Sequence, residues 1–160
     1  MNAQTTSLSH GALRGRLAEL GLGLPEVPRA VASYVPAVRA GNIVYTSGQL
    51  PLREGAMSAA GKVGSEVSVE TAADLARTCV LNALAAAGAL GDLDHARILK
   101  LTGFVASAPG FNDQPAVVNG ASQLLLALFG ARGEHARSAV GVAELPLDAP
   151  VEVEIIVELR

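Results

Sequence analysis

Apolar and polar positions follow two periods along the chain, and their order predicts its elements. Between 10 and 20, Leu13, Leu17 and Leu20 recur at i, i+4 and i+7, the spacing of a short amphipathic helix starting at His10. Gly21-Leu22-Gly23 ends it, and Pro25 and Pro28 mark an extended entry. Segments 34–39 and 43–47 read as strands about a turn at Ala40-Gly41-Asn42. Segment 53–65, rich in Gly and small residues, reads as a loop. Ser68 is a candidate N-cap with Glu70 in the first turn. The helix it opens runs to about 87 on a stripe of Ala72, Ala76, Cys79, Val80, Ala83 and Ala87, and Gly88 or Gly91 closes it.

Segment 97–107 is a third strand, with Ile98, Lys100 and Thr102 on one face and Leu99 and Leu101 on the other. Pro109-Gly110 breaks it. Asn112 or Asp113 then caps a second helix, with Pro115 in its first turn and Gly130 at its end. Val117, Val118, Ala121, Leu125 and Leu128 form its buried side. Strands at 138–143 and 151–159, separated by a turn over 145–150, finish the chain. The order β-β-α-β-α-β-β, after a leading helix, predicts an α+β two-layer sandwich: a mixed sheet with two helices on one face. No element is left for the other face, which implies an oligomer whose sheets pack together.

Composition agrees with that picture. The chain has 160 residues, enough for one domain, and is 50% apolar but only 3% aromatic. Its core must be built from Ala, Val and Leu, which bury less area per residue than aromatic side chains. A single cysteine, Cys79, forms no internal disulfide, and its place on an apolar stripe suits an inert core thiol. There is no secretory signal pattern, and no apolar run approaches the ~20 residues a membrane span needs. A net charge of -3 gives no general attraction to phosphate backbones. The default is a cytoplasmic protein that binds neither membrane nor nucleic acid.

Several residues carry possible chemistry. In the last strand Val151, Val153, Ile155, Val157 and Leu159 alternate with Glu152, Glu154, Ile156 and Glu158. Glu154 and Glu158 fit a solvated sheet face, whereas Glu152, at the strand's start, suits a general acid or base. Arg137 precedes the small residues Ser138-Ala139-Val140-Gly141, which leave room for its planar fork to hold a carboxylate; an ion pair with Glu134 or a strand carboxylate is the other reading. If the last two strands pair as a hairpin, Arg137 and Glu152 lie about 16 Å apart and meet only across subunits. Tyr34 could close a pocket or pack at an edge. Ser47 offers a hydroxyl and Gly48 close backbone access, or the two simply form a turn. Asn119-Gly120 breaks helix propensity inside the second helix, pointing to an amide in a cleft or a close helix contact. His10, His95 and His135 share no metal-ligand spacing, so no metal is expected; His135, beside Arg137, is a pocket-rim candidate. No nucleotide-binding glycine loop is present, and no cofactor is expected.

Together, Tyr34-Val35-Pro36, the run Ile43 to Pro51 with Thr-Ser-Gly-Gln at its centre, Val118-Asn119, Ala136-Arg137-Ser138-Ala139-Val140, Leu145-Pro146 and Val151-Glu152-Val153-Glu154 resemble the RidA/YjgF family. The likeness spans 28–160, leaving 1–27 as an N-terminal extension. The leading helix and His135 resemble a longer, endoribonuclease L-PSP-like branch. The resemblance implies a chorismate-mutase-like fold, a homotrimer with clefts between subunits, and hydrolysis of reactive 2-imino and enamine acids to 2-keto acids and ammonia without a cofactor. By position, Arg137 would clamp the substrate carboxylate and Glu152 would activate water. Tyr34, Ser47, Gly48, Asn119 and Ala139 would line the pocket. Ala139 stands where the deaminating branch usually has Cys, and Gly141 where it often has Glu, so the expected pocket floor is smaller and neutral. A non-catalytic trimer that binds or senses small carboxylates is the alternative. A nuclease is the third reading, disfavoured by the absence of a basic aromatic surface and a His acid–base pair.

Overall fold

The computed structural model describes residues 11–27 and 33–160. The expected helix start at His10 and the Pro28 end of the expected extended entry lie outside them. Helix α1 is Gly11–Glu19. Leu13 and Leu17 enter the common core, but Leu20 does not; it is 44% exposed. Gly21 turns the chain at φ 67°. The Leu22 N–H then folds back onto the Leu17 carbonyl at 2.8 Å, which takes Leu20 off the stripe. At the other end, the N–H groups of Ala12 and Leu13 donate to the Asp94 carboxylate at 3.1 and 2.9 Å. A carboxylate there satisfies orphan donors at the positive end of the helix. The leading helix is therefore built into the core and packs on the third helix described below.

Strands β1 (Ala37–Ala40) and β2 (Ile43–Thr46) form the expected hairpin. The first strand begins later than expected, because Pro36 lacks the N–H that pairing would use. Segment 53–65 is not all loop. Its start joins a two-stranded hairpin, β3 (Leu52–Arg53) and β4 (Ala56–Met57). The turn uses Glu54 and Gly55 at φ 51° and 80°, and Glu is an unusual residue for the first left-handed position.

Helix α2 (Val69–Gly88) starts at Ser68, whose Oγ accepts the Thr71 N–H at 3.1 Å, and buries its whole expected stripe. It ends without a glycine cap: Ala89 closes it at an ordinary right-handed φ of -68°. Strand β5 (Arg97–Ala106) departs from simple alternation, since Ile98 and Leu101 both face the core. A bulge between Ile98 and Lys100 restores the register. Helix α3 (Gln114–Phe129) has Asp113 at its N-cap, Pro115 in the first turn and Gly130 as its stop. Its five expected core residues are all fully buried.

Strand β6 (Ala136–Val142) and strand β7 (Val151–Glu158) do not pair as a hairpin. The sheet order is β1-β2-β7-β5-β6, with β5 between them. The reason is the helical crossover: β5-α3-β6 sets β6 parallel to β5, while β7 is antiparallel to both β5 and β2. Helices α2 and α3 cover one face. Val44, Leu101, Val151, Val153, Ile155 and Val157 fill the space beneath them. The opposite face carries a row running Val38, Tyr45, Ile156, Lys100 and Ala136 across the five strands. Its Val38 and Tyr45 are about half exposed.

Candidate functional site

The residues singled out in the sequence fall into two groups. The first lies where edge strand β6 meets α3. Leu101 pairs with Arg137 on one side and with core-facing Ile155 on the other, so Arg137 is on the helix side of the sheet. Its Nη1 donates to Asn119 Oδ1 at 2.7 Å and to Ser122 Oγ at 3.3 Å. Among the described residues it bonds neither Glu134 nor a strand carboxylate, so the guanidinium stays available to a ligand. Asn119 and Ser122 are three residues apart and share one face of α3.

Two neighbours settle what the Asn119-Gly120 pair does. Asn119 is exposed and holds Arg137. Gly120 is buried, and a Cβ there would run into the backbone of Ala73, so it exists for close α2–α3 packing. Ala139, two residues beyond Arg137 on the same face of β6, is half-buried against the core. The space beside Gly141 is not simply an empty floor. Gln114 and Ser107 occupy it, with Gln114 Nε2 donating to Ser107 Oγ at 3.2 Å and to the Phe111 carbonyl at 2.9 Å.

The second group lies at the start of β7. Glu152 pairs with Phe104 on the open face of the sheet, and its carboxylate lies against Gly48: a Cβ on Gly48 would collide with it. Gly48 is thus required by close approach rather than by a turn. The strand irregularity that brings it there is held by Thr46, whose Oγ1 accepts the Ile155 N–H at 3.0 Å in place of a ladder carbonyl. Gln49 then resumes pairing with Val153. Ser47 Oγ donates to the Val35 carbonyl at 2.6 Å, which ties the segment carrying Tyr34 to this group. Tyr34 itself is 50% exposed.

Burial, and secondarily the charge of Glu154, raise Glu152 above the ordinary carboxylate value of 4.5. Burial, with a contribution from the charge of Glu152, pushes the Cys79 thiol well up, so Cys79 remains a protonated core residue. Among the described residues no cluster of His, Cys, Asp and Glu has the geometry to hold a metal ion, and no helix is long and apolar enough to cross a membrane.

Arg137 and Glu152 do not meet within one protomer. They are two strands apart and three residues out of register, roughly 14 Å along the sheet, and they point to opposite faces. The separation expected from a hairpin therefore has a different origin, the insertion of β5. Ser122 was not among the expected site residues, although its spacing from Asn119 could have marked it. His135 joins the same cluster, with Nε2 3.0 Å from Ser122 Oγ and Nδ1 2.6 Å from the Gly133 carbonyl.

A mixed five-stranded sheet roofed on one side by two helices, with a further short helix at its N-terminus, defines the YjgF-like class of α+β proteins. The chain belongs to the endoribonuclease L-PSP family, also known as RidA/YjgF, whose sequence pattern matches residues 25–159. The protein Atu1372 from Agrobacterium tumefaciens, of unknown function, superposes with a TM-score of 0.86 at 45% identity over 94% of each chain. Protein TCP17 from Trypanosoma cruzi is 41% identical over 156 residues, 96% of this chain and 98% of that one. A 2-iminobutanoate/2-iminopropanoate deaminase from Escherichia coli K12 is 36% identical over 133 residues, 83% and 92% of the two chains. Escherichia coli TdcF, solved with bound serine, gives a TM-score of 0.62 at 28% identity over 84% and 94%.

Proposed function

We propose that this protein hydrolyses small 2-imino acids to 2-keto acids and ammonia, at clefts where the Arg137 group of one protomer faces the Glu152 group of another in a homotrimer. The observation that carries this reading is the division of the site. Each group supplies one half of the chemistry, a carboxylate clamp or a proton carrier, and the two halves face away from each other within a chain. The deaminase relatives and the serine bound to TdcF support a small amino-acid-like ligand.

In this reading Arg137 binds the substrate carboxylate in a charge-assisted fork, and Asn119 and Ala139 shape the pocket around it. Tyr34 and Ser47 line the facing side. Glu152 accepts a proton from water as its oxygen attacks C2 of the imine. That proton then goes to the nitrogen of the tetrahedral intermediate. Glu152 then takes the hydroxyl proton and passes it to the same nitrogen as the C–N bond breaks, so that ammonia leaves and the C2 carbonyl forms. A carboxyl with raised proton affinity is better suited to both transfers than an ordinary one. The imine is already electrophilic, so positioning and one proton shuttle suffice.

A second reading, carboxylate binding without turnover, draws on Ala139 and on Gln114 beside Gly141, which change the pocket next to the clamp. One assay separates the two. With 2-iminobutanoate generated in place by an amino-acid oxidase, the wild type should accelerate ammonia release, and Arg137→Ala should lose about 100-fold in kcat/KM. Wild type no faster than Arg137→Ala contradicts the hydrolase. In that case, thermal stabilisation by 2-oxobutanoate that disappears in Arg137→Ala identifies a binder. RNA cleavage retained by both Arg137→Ala and Glu152→Gln would place a nuclease activity elsewhere on the molecule.

A further inference from the structure

We infer that Ser122 and His135 are positioning residues that aim Arg137 so that it receives the ligand carboxylate side-on, through Nε and Nη2. The inference deepens the proposed carboxylate clamp and rests on it. The Gly133 carbonyl can only accept, so at 2.6 Å the His135 Nδ1 must carry a proton. In the neutral ring this leaves Nε2 as an acceptor, and the Ser122 hydroxyl, 3.0 Å away, donates to it. The lone pairs of that oxygen then face Arg137 Nη1, which donates to it at 3.3 Å.

Nη1 has two hydrogens. One goes to Ser122 and the other to Asn119 Oδ1 at 2.7 Å, so both are used within the chain. An end-on fork through Nη1 and Nη2 is therefore closed to a ligand. The edge formed by Nε–H and one Nη2–H remains, and it matches the two oxygens of a carboxylate. His135 is in turn anchored by the backbone at Gly133, which is buried with no room for a Cβ against the Leu125 carbonyl. The orientation of the clamp is thus fixed from the tight turn after α3, through an imidazole and a hydroxyl, to the guanidinium. In the neutral Nδ1–H tautomer of His135, Ser122 points its proton at Nε2 and away from Arg137.

The test uses the full chain with serine and 2-oxobutanoate as probes, measured by calorimetry, together with imine turnover. Ser122→Ala and His135→Phe should each weaken probe binding about tenfold and raise KM by a similar factor, with kcat changed far less. Ser122→Thr, which keeps the hydroxyl, should restore binding to within about twofold of wild type. Melting temperatures without ligand report whether each variant is folded. A second measurement does not depend on the variants: nitrogen-15 spectra of the wild type at about pH 8 should show His135 protonated at Nδ1 and bare at Nε2. The Nε2–H tautomer overturns the relay. Folded Ser122→Ala and His135→Phe proteins that bind like wild type, while Arg137→Ala does not bind, overturn the positioning role and leave the clamp standing. Binding unchanged in Arg137→Ala overturns both.

Discussion

Glu152 shows at the level of a single residue how the proposed site opposes stability. Its folded-state proton affinity is raised, by burial first and by Glu154 second. The folded chain therefore holds this proton more tightly than the unfolded one. Its contribution is fully favourable below the ordinary value of 4.5 and is lost as pH rises through the raised value. Glu152→Gln, which carries no charge, should melt higher than wild type at pH 7, with the gap closing as pH falls towards the ordinary carboxylate value. A gap that does not change with pH contradicts this. Gly48→Ala makes the complementary test. Its methyl would displace the Glu152 carboxylate, so turnover should fall at least tenfold while thermal stability changes little. Activity within twofold of wild type would show that the carboxylate can work from another position. These two residues mark the limits of sequence reading. The place of Glu152 at a strand start, on the face opposite Val151 and Val153, was legible in the period-two pattern. Its contact with Gly48 depends on a strand irregularity held by the Thr46 hydroxyl, which no local pattern reports.

At the scale of elements, helices were the easiest to read because their signals are local. Ser68, Pro115 and Gly130 mark ends through their own chemistry, and the buried stripes of α2 and α3 follow directly from spacing. Strand pairing was harder. A turn over 145–150 suggested a hairpin, yet the α3 crossover and the pairing of β7 on both its edges, with β2 and β5, decide the sheet order, and both are non-local. Gly120 makes the point for packing. Helix propensity alone favours Gly120→Ala by up to ~1 kcal/mol. The added methyl would meet the Ala73 backbone, and forcing apart two well-packed helices costs about 1–3 kcal/mol or more. We expect net destabilisation in urea unfolding, with Asn119 and Arg137 displaced and KM raised. A more stable Gly120→Ala protein would contradict the close packing of α2 on α3.

At the scale of the whole molecule, scarce aromatics and an uncovered sheet face are two aspects of one property. The helix-covered face is closed by small aliphatic side chains, and the other face leaves Val38 and Tyr45 half exposed. In the proposed trimer that face is covered by neighbouring protomers, and the Arg137 and Glu152 groups are brought together at the seams. Arg137→Ala and Glu152→Gln each remove one half. Co-expressed in equal amounts, they assemble at random, and a cleft is intact only when the clamp comes from one variant and the acid from the other. The account predicts that two variants inactive alone regain about a quarter of wild-type imine hydrolysis when mixed in this way. No recovery from a well-mixed assembly would place both groups in one protomer's site and contradict it.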